Sequence, residues 1–282
     1  MKKGQIIEGY IERVDFPNKG ILKTEEGKTV VVKNALCGQK VSVSIQKVRK
    51  GKAEGRLLEI LEKSPKELET PGCVHYGVCG GCTFQSLPYE EQLSMKEAQV
   101  KKLIDEVITP ENEDYKFLPI KPSPRQQGYR NKMEFSFGDE YKDGPLALGM
   151  HKRGSFYDIV NTPQCQIVHE DFRKILTATL EYFTEKGMGY YRKLQHEGYL
   201  RHLLVRRAVK TGEILVALVT SGQTGAAGMP ESLEAEKVLL EGWKETLLAL
   251  KMEGSIAGIL HIRNDTLADV VQSDETTVLY GK

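Results

Sequence analysis

Apolar residues alternate with polar ones along the first sixty or so residues, and turn residues interrupt the alternation at short intervals. Val41, Val43 and Ile45 alternate, and Thr29–Val32 is a run of β-branched residues. Alternation of this kind is typical of half-buried strands, and the Gly, Pro and Asn residues between the runs mark turns. The pattern predicts five strands, at Gln5–Val14, Ile21–Thr24, Lys28–Lys33, Gln39–Lys47 and Gly55–Leu61. Five short strands within residues 1–62 indicate a small closed barrel of the OB type, a shape that often binds oligonucleotides.

A connecting region is predicted at residues 63–124. It holds a charged linker broken by Pro65, a cysteine-rich loop, and a helix from Pro88 to about Val107. The helix carries an apolar stripe at helical spacing, formed by Leu93, Val100, Leu103, Ile104 and Val107. The stripe predicts that this face packs into a core. A second linker with four prolines, Thr109–Pro124, ends the region.

Residues 125–282 predict a mixed α+β domain. Helices are predicted at Val168–Lys186 and Glu231–Lys251, and the turn at Thr211-Gly212 predicts a hairpin. The predicted strands are Arg130–Gly138, Leu146–Lys152, Leu200–Lys210, Glu213–Thr220, Ser255–Arg263 and one or two within Ala268–Leu279.

The chain is nearly neutral, but its charge is unevenly distributed. The net charge is +1 over 282 residues, while residues 1–62 hold 13 Lys and Arg against 8 Asp and Glu. Arg192–Lys210 holds six basic residues and one acidic residue, Glu197. A net charge near zero argues against a general nucleic-acid binder. Local basic faces fit a polyanionic partner that docks on one side of the protein. The simpler interpretation of these basic stretches is that they are ordinary solvated surface lysines. No stretch approaches a membrane span and no signal sequence is evident, so a cytoplasmic protein without a membrane partner is predicted.

Four cysteines are spaced as ligands of a metal ion or cluster. Cys73, Cys79 and Cys82 share one loop, and Cys165 lies far along the chain. Disulfides, the competing interpretation, need an oxidising compartment. Only Cys79 and Cys82 form the tight pair that structural zinc sites use, whereas three thiolates in one loop with a remote fourth suit a cubane. The spacing favours an iron–sulfur cluster, with zinc and uncoordinated core or redox cysteines as the alternatives.

The glycine-rich segment Ser221–Gly228 lies between a predicted strand and a predicted helix, as a nucleotide-binding loop would. Its spacing is not G-x-G-x-x-G. The preceding strand is predicted to pair antiparallel with Leu200–Lys210, whereas a dinucleotide site needs a parallel βαβ unit. A flexible connection is therefore predicted.

Several motifs resemble those of a known enzyme family. The run Cys73–Gln85, with its C-x5-C-G-G-C spacing, follows the barrel. Further matching segments are Gly128–Lys132, Leu148–Ser155, Asp158–Val160, Leu200–Arg207, Thr211–Glu213 and Leu279–Gly281. Together, these motifs resemble the TRAM-containing RNA uracil-C5 methyltransferases, which make 5-methyluridine in ribosomal RNA.

The resemblance implies an N-terminal TRAM barrel, a central domain with a [4Fe-4S] cluster, and a C-terminal Rossmann-like domain that uses S-adenosylmethionine. It implies that the cluster ligands are Cys73, Cys79, Cys82 and Cys165. The residues proposed to contact RNA are Arg130, Asn131 and Lys132, with a surface extended by Arg201, His202, Arg206 and Arg207. The implied RNA is ribosomal and single-stranded or looped, and a monomer is predicted.

The sequence shows no glycine-rich S-adenosylmethionine loop, so the Rossmann-like domain is expected to be absent. Methylation of uracil C5 needs a thiolate that adds to C6 and a base that removes the C5 proton. Beside the cluster ligands only Cys37 remains, and it is predicted to be a small buried residue of the barrel. The expected fold class is α+β, with a five-stranded OB-like TRAM barrel, an iron–sulfur loop and a mixed central domain. The expected function is the RNA-binding, cluster-bearing portion of a ribosomal RNA methyltransferase, without catalytic residues and inactive alone.

Two other functions remain open. One is an iron–sulfur redox protein or radical enzyme, although radical methylthiotransferases carry a C-x3-C-x2-C motif rather than the spacing found here. The other is a zinc-stabilised nucleic-acid-binding module with no enzymatic activity. Metal content separates the second from the iron–sulfur alternatives.

Overall fold

The chain folds into two compact units that are not contiguous in sequence. The structure is a computed structural model that describes residues 1–24, 26–49, 52–108, 115–267 and 274–281. The first unit comprises Met1–Gly72 and Thr83–Pro124, and the second comprises Cys73–Cys82 and Arg125–Lys282. The cysteine loop therefore belongs to the second unit, while the predicted division at residues 62 and 124 stays a prediction. Within the described residues, no helix has the length and apolar character needed to cross a membrane.

Five strands close into a barrel in the first unit. They are β1 (Ile6–Asp15), β2 (Lys19–Lys23), β3 (Thr29–Lys33), β4 (Lys40–Arg49) and β5 (Lys52–Glu62). The strand order is β1-β2-β3-β5-β4, with β3 and β5 parallel. Successive side chains point to opposite faces of a strand, so the alternating residues Val30, Val32, Val41 and Val43 all fill the interior. The predicted barrel is confirmed.

Helix α1 (Tyr89–Asp105) packs against the barrel through a face other than the predicted one. The amide of Gln99 donates to the carbonyl of Val14 at 2.8 Å, and Met95 contacts the barrel core. Val100 and Leu103, from the predicted apolar stripe, are exposed. The prediction that the stripe forms core is wrong for these two residues, because the contact face follows the i, i+4 spacing of Met95 and Gln99.

A seven-stranded sheet forms the second unit. Its strands are β6 (Lys132–Gly138), β7 (Ala147–His151), β8 (Ile159–Asn161), β9 (Leu200–Arg207), β10 (Glu213–Thr220), β11 (Ser255–Arg263) and β12 (Glu275–Gly281). Their order is β12-β11-β10-β9-β6-β7-β8. Helices α2 (Glu170–Glu185) and α3 (Leu233–Leu248) cover one face and bury Phe172, Phe183 and Trp243 against it.

One pair of neighbouring strands in this sheet is parallel. β10 pairs antiparallel with β9 on one side and parallel with β11 on the other, and α3 makes the crossover. The predicted antiparallel pairing of Glu213–Thr220 with Leu200–Lys210 is confirmed, whereas the parallel strand on the other side of β10 was not predicted. The loop after β10 still does not offer its N–H groups to a ligand: Gly222 donates to Asp265 and Gly225 to Pro230, each at 2.8 Å.

Two predicted segments lie partly outside the described residues. These are residues 109–114 of the linker Thr109–Pro124, and residues 268–273 at the start of the strands predicted within Ala268–Leu279. The remaining part of the linker, residues 115–124, contains no helix or strand among its described positions.

A buried polar cluster lies where β10 and β11 meet the first turn of α3. The carboxylate of Glu236 accepts hydrogen bonds from the hydroxyl of Tyr199, at 3.1 Å, and from the guanidinium of Arg263. Nε2 of His261 lies 2.8 Å from the hydroxyl of Thr220. Burial lowers the pKa of His261 and raises that of Tyr199 above its ordinary range. Both side chains are therefore uncharged at neutral pH.

Gly55 allows the barrel core to close. A Cβ at this position would lie 2.2 Å from Cγ1 of Val43 and 3.2 Å from Cγ1 of Val30. Gly55→Ala should therefore overpack the barrel and lower the free energy of unfolding by about 1–3 kcal/mol. Urea denaturation followed by circular dichroism measures this change. Gly72→Ala is the control, since a Cβ there meets nothing within 4 Å; equal stability of the two variants would contradict the described core.

The buried imidazole of His261 makes stability depend on pH. In the unfolded chain a histidine binds a proton below about pH 6.5. In the folded protein the lowered pKa of His261 keeps its imidazole neutral at lower pH than this. The unfolded state then binds more protons, so the free energy of unfolding should fall as the pH drops below about 6.5. His261→Gln should flatten this part of the stability profile in urea titrations at pH 5–7. An unchanged profile would contradict the described environment.

Candidate metal centre and nucleic-acid interface

The cysteine loop, Cys73–Cys82, is attached to the end of β7 by backbone pairing. The N–H of Gly80 donates to the carbonyl of His151 at 2.8 Å, and the N–H of Arg153 donates to the carbonyl of Val78 at 2.7 Å. This short antiparallel ladder extends the sheet onto the loop. The loop is thus part of the second unit although residues 83–124 separate it from the rest of that unit.

Glycines permit the close approach. A Cβ on Gly80 would lie 2.9 Å from the carbonyl oxygen of His151, a distance that real Cβ atoms do not adopt. The N–H of the next residue, Gly81, points to Sγ of Cys79 at 3.3 Å. Such N–H groups stabilise a thiolate, and they would do the same for the sulfur of a metal-bound cysteine.

The side chain of Arg153 also contacts the cysteine loop. Its guanidinium donates to the carbonyl of Cys82 and lies 5.7 Å from the centroid of the Tyr76 ring. Burial raises the pKa of the Cys79 thiol, and the positive charge of Arg153 partly offsets this effect. Sequence analysis missed Arg153, because a cation just after a strand resembles any surface residue. The signal available was its position inside the motif Leu148–Ser155.

Cys165 lies on a segment that pairs with the predicted RNA-contact motif. The N–H of Gly128 donates to the carbonyl of Gln166 at 3.0 Å, and that of Arg130 donates to the carbonyl of Ile167 at 2.9 Å. Burial raises the pKa of the Cys165 thiol, while hydrogen bonds from the backbone of Ile167 and Val168 lower it. Burial therefore disfavours the free thiolate.

The structure brings the cysteine loop and Cys165 into one neighbourhood. The N–H of Gln164, the residue before Cys165, points to Nε2 of His75 in the cysteine loop at 3.4 Å. Cys82 and Cys165 also pack against the same hydrophobic core. All five cysteines of the chain are described, and none forms a disulfide.

The four thiols fit a cluster by their donor chemistry. A single tetrahedral zinc would draw its sulfurs to about 3.8 Å of one another, whereas a cubane takes one thiolate at each of four irons and so spaces its ligands around a larger volume. Among the described residues, no group of three or more His, Cys, Asp or Glu side chains is arranged to hold a single metal ion. The [4Fe-4S] assignment to Cys73, Cys79, Cys82 and Cys165 stays a prediction.

Three exposed cations gather at one corner of the sheet. Lys132 on β6 and Arg206 on β9 are direct cross-strand partners, and Nε of Arg130 donates to the carbonyl of Lys132 at 3.3 Å. Their neighbours Met133 and Val205 point into the helix-covered core, so Lys132 and Arg206 face the other way. Like charges directly opposite each other destabilise a sheet. We call Arg130, Lys132 and Arg206 the cation corner.

Other residues predicted to contact RNA lie elsewhere. Asn131 is exposed, and its carbonyl accepts the N–H of Arg207 at 2.9 Å. The guanidinium of Arg207 turns to the opposite side and meets Glu253 at 3.1 Å. Arg207 therefore does not join the cation corner.

Arg201 and His202 are buried in the sheet, with 4% and 3% of their surface exposed. Arg201 donates to the carbonyl of Thr266 at 2.9 Å and lies 4.4 Å from the centroid of the Tyr191 ring. Nδ1 of His202 lies 3.4 Å from the hydroxyl of Ser136. Because such burial does not suit contact with a phosphate, we correct their predicted role in RNA contact to a role in packing. Alternation along β9 shows which residues share a face, but not whether that face is covered.

Comparison with known proteins shows a TRAM domain at residues 1–58. The whole chain is also 43% identical over 282 residues to an uncharacterized RNA methyltransferase of Clostridium tetani, of which it covers 58%. It is 42% identical to a second such protein, from Caldanaerobacter subterraneus subsp. tengcongensis, of which it covers 59%. The chain thus spans a little under three fifths of the length of these curated relatives.

A solved structure shares the fold. The Pyrococcus abyssi tRNA (uracil-54, C5)-methyltransferase, in complex with S-adenosyl-L-homocysteine, matches 98% of this chain and 55% of its own, with a TM-score of 0.64. At 20% sequence identity, this likeness concerns the fold alone.

These findings overturn two expectations. The predictions of an absent Rossmann-like domain and of an inactive portion of an enzyme are wrong, because all 282 residues have counterparts in proteins named RNA methyltransferases and nearly all match a methyltransferase structure. Both expectations rested on the absence of a recognisable glycine-rich loop and of a spare cysteine beside the four predicted cluster ligands. Its TRAM domain and its whole-length similarity agree with the resemblance that the motifs indicated: the chain carries a TRAM domain and is similar to proteins named RNA methyltransferases.

Proposed function

We propose that the protein is an S-adenosylmethionine-dependent RNA methyltransferase that acts on C5 of uracil. The observation that carries the proposal is the similarity of all 282 residues, at 42–43% identity, to RNA methyltransferases. The matching solved structure is a uracil C5 enzyme with a product of that methyl donor bound, which supports the target atom and the donor. Two groups of residues in this chain have a role in the proposal: the cation corner, which would bind RNA, and the four cysteines, which would hold a metal cluster.

The cation corner is the proposed site of RNA binding in the second unit. Facing one another across β6 and β9, Lys132 and Arg206 repel each other in the absence of a partner. A phosphate between them would replace this repulsion by two attractive charge-assisted contacts. Single-stranded or looped RNA suits such a surface, since its backbone can follow an irregular row of cations. Contacts of this kind orient RNA without reading its sequence.

The proposed [4Fe-4S] cluster is held by Cys73, Cys79, Cys82 and Cys165. When bound, it supplies iron–thiolate bonds that join two segments distant in sequence. One of these segments pairs with Gly128–Arg130, which leads directly into the cation corner. The role we propose for the four cysteines is therefore to fix the backbone that presents the RNA-binding cations.

Ribosomal RNA is the proposed substrate class, and the protein is proposed to be a cytoplasmic monomer. The TRAM domain supports RNA binding, and ribosomal RNA is the substrate that the resemblance of the motifs implies. Transfer RNA is a second candidate, favoured by the tRNA enzyme whose structure matches this chain. A reducing cytosol fits a set of cysteines that form no disulfide.

A methylation assay tests the proposed function. The protein is incubated with S-adenosylmethionine carrying a deuterated methyl group and with unmodified transcripts of ribosomal RNA and transfer RNA. Nucleosides from the digested RNA are then analysed by mass spectrometry. Deuterated 5-methyluridine in the ribosomal transcript is the expected result. Label in transfer RNA alone would show that the substrate is transfer RNA rather than ribosomal RNA. Label in neither RNA would refute the proposed methyltransferase function.

Removing a cation from the corner should weaken RNA binding without affecting folding. Lys132→Gln and Arg206→Gln should each lower the affinity for single-stranded RNA and reduce the slope of log Kd against log salt by about one phosphate contact. Filter binding at several salt concentrations measures both quantities. Lys237→Gln is the matched control, because Lys237 lies on α3, on the covered side of the sheet. Equal slopes for all three variants would contradict the proposed interface.

The cysteine assignment predicts metal content. Protein purified without oxygen should contain about four irons and four sulfides per chain. Cys165→Ser should lose most of the iron, whereas Cys37→Ser should retain it, because Cys37 lies on the barrel. The sequence predicted that Cys37 is buried, but its side chain is exposed, and its thiol donates to the carbonyl of Glu12 at 3.0 Å. One zinc without iron would instead support a zinc-stabilised module, and iron without methylation activity would favour a redox protein.

A further inference from the structure

Two large aromatic rings stand exposed on the loop between β7 and β8. Phe156 is 66% exposed and Tyr157 is 51% exposed. Their rings form an edge-to-face pair with centroids 5.3 Å apart, and the imidazole of His151 stacks beside Phe156 at 6.4 Å. Full burial of a phenylalanine side chain would gain roughly 1.5–3 kcal/mol, so leaving this ring in water forgoes much of that stabilisation. The predicted contacts and the metal centre do not use these rings.

The exposure is not the result of a loosely held loop. The hydroxyl of Ser155 accepts the N–H groups of Tyr157, at 3.3 Å, and of Asp158, at 3.1 Å. The N–H of Lys152 donates to the carbonyl of Asp158 at 2.8 Å and closes the turn. Because the backbone is fixed on both sides of Phe156, the ring is held in place before any partner binds. Such preorganisation reduces the entropic cost of binding.

The same loop is attached to the cysteine loop. Arg153, three residues before Phe156, makes the contacts with Val78, Cys82 and Tyr76 described above. The aromatic rings and the cysteine ligands therefore belong to one connected structure in the second unit.

Cations surround the exposed rings. The ammonium of Lys193 lies 5.4 Å from the centroid of Phe156, and Lys152 and Arg153 precede the rings in the same loop. The nearest carboxylate in the sequence is Asp158, so positive charge predominates in this loop. An apolar ring flanked by cations matches an unpaired nucleotide, which presents a flat base and an anionic phosphate together.

We propose that Phe156 and Tyr157 form a platform on which an unpaired base of the RNA substrate stacks, with Lys193 meeting the adjoining phosphate. The proposal rests on the proposed function and adds the residues that receive a base. Stacking on an aromatic ring is tolerant of sequence, so the platform would hold looped or single-stranded RNA rather than select a base. Duplex RNA would not use it, since its bases are already stacked and paired.

Binding of the protein to single-stranded RNA tests the platform. The probe is a fluorescein-labelled oligouridine of about 12 nucleotides, and fluorescence anisotropy gives the affinity. Phe156→Ala should weaken binding about fivefold or more, the range expected for loss of one stacked base. Phe156→Leu keeps an apolar side chain of similar size without the ring and should lose the same affinity. Phe156→Trp should retain it.

Phe156→Trp adds a direct signal for stacking. The chain has one tryptophan, Trp243, which is fully buried in the helix–sheet core. An exposed indole introduced at position 156 should emit at longer wavelength, and oligouridine should quench that emission selectively. Tyr280→Ala removes an exposed aromatic residue from β12, at the opposite edge of the sheet, and should leave the affinity unchanged.

The outcomes separate this proposal from the proposed function. If the unaltered protein binds oligouridine and methylates RNA while Phe156→Ala binds equally well, the platform is wrong and the function stands. Full binding by Phe156→Leu would show that RNA binding does not need the aromatic ring and would also overturn the proposal. If the unaltered protein binds no RNA, both proposals fail. Circular dichroism on each variant ensures that lost binding does not reflect unfolding.

Discussion

Two backbone hydrogen bonds between the cysteine loop and the end of β7 hold the candidate site together. They join Gly80 to His151 and Arg153 to Val78, and they place three thiols in the same unit as Cys165. The side chain of Arg153, through its contacts with Cys82 and Tyr76, adds to this attachment. The short ladder thereby fixes a loop that has no helix or strand of its own.

The residues proposed to bind RNA lie on two segments that are connected to the cysteine loop or to Cys165. On one side, the segment after Cys165 pairs with Gly128–Arg130 and leads to the cation corner. On the other, Arg153 connects the cysteine loop to the loop that carries Phe156 and Tyr157. A metal–thiolate centre at the origin of both paths would stabilise the surface that meets RNA without taking part in methyl transfer. In this proposal the four cysteines support substrate binding structurally.

Local patterns predicted local structure well and long-range structure poorly. Alternation at Val41 and Val43 and the β-branched run at Thr29–Val32 predicted the barrel, because a closed barrel repeats one rule on every strand. The parallel partner of β10 could not be predicted, since strand direction depends on where the crossover helix packs. The burial of Arg201 likewise depends on Tyr191 and Thr266, which only the fold brings beside it. The cysteine spacing indicated a shared site, but the contacts of Arg153 that fasten it are non-local.

The most direct test of the shared centre is anomalous diffraction from crystals of the protein grown without oxygen. Data are collected at the absorption edges of iron and zinc, so that the element and its ligands are identified together. We expect an iron peak enclosed by the Sγ atoms of Cys73, Cys79, Cys82 and Cys165. A peak at the zinc edge alone, iron bound elsewhere, or a disulfide between these cysteines would contradict the account.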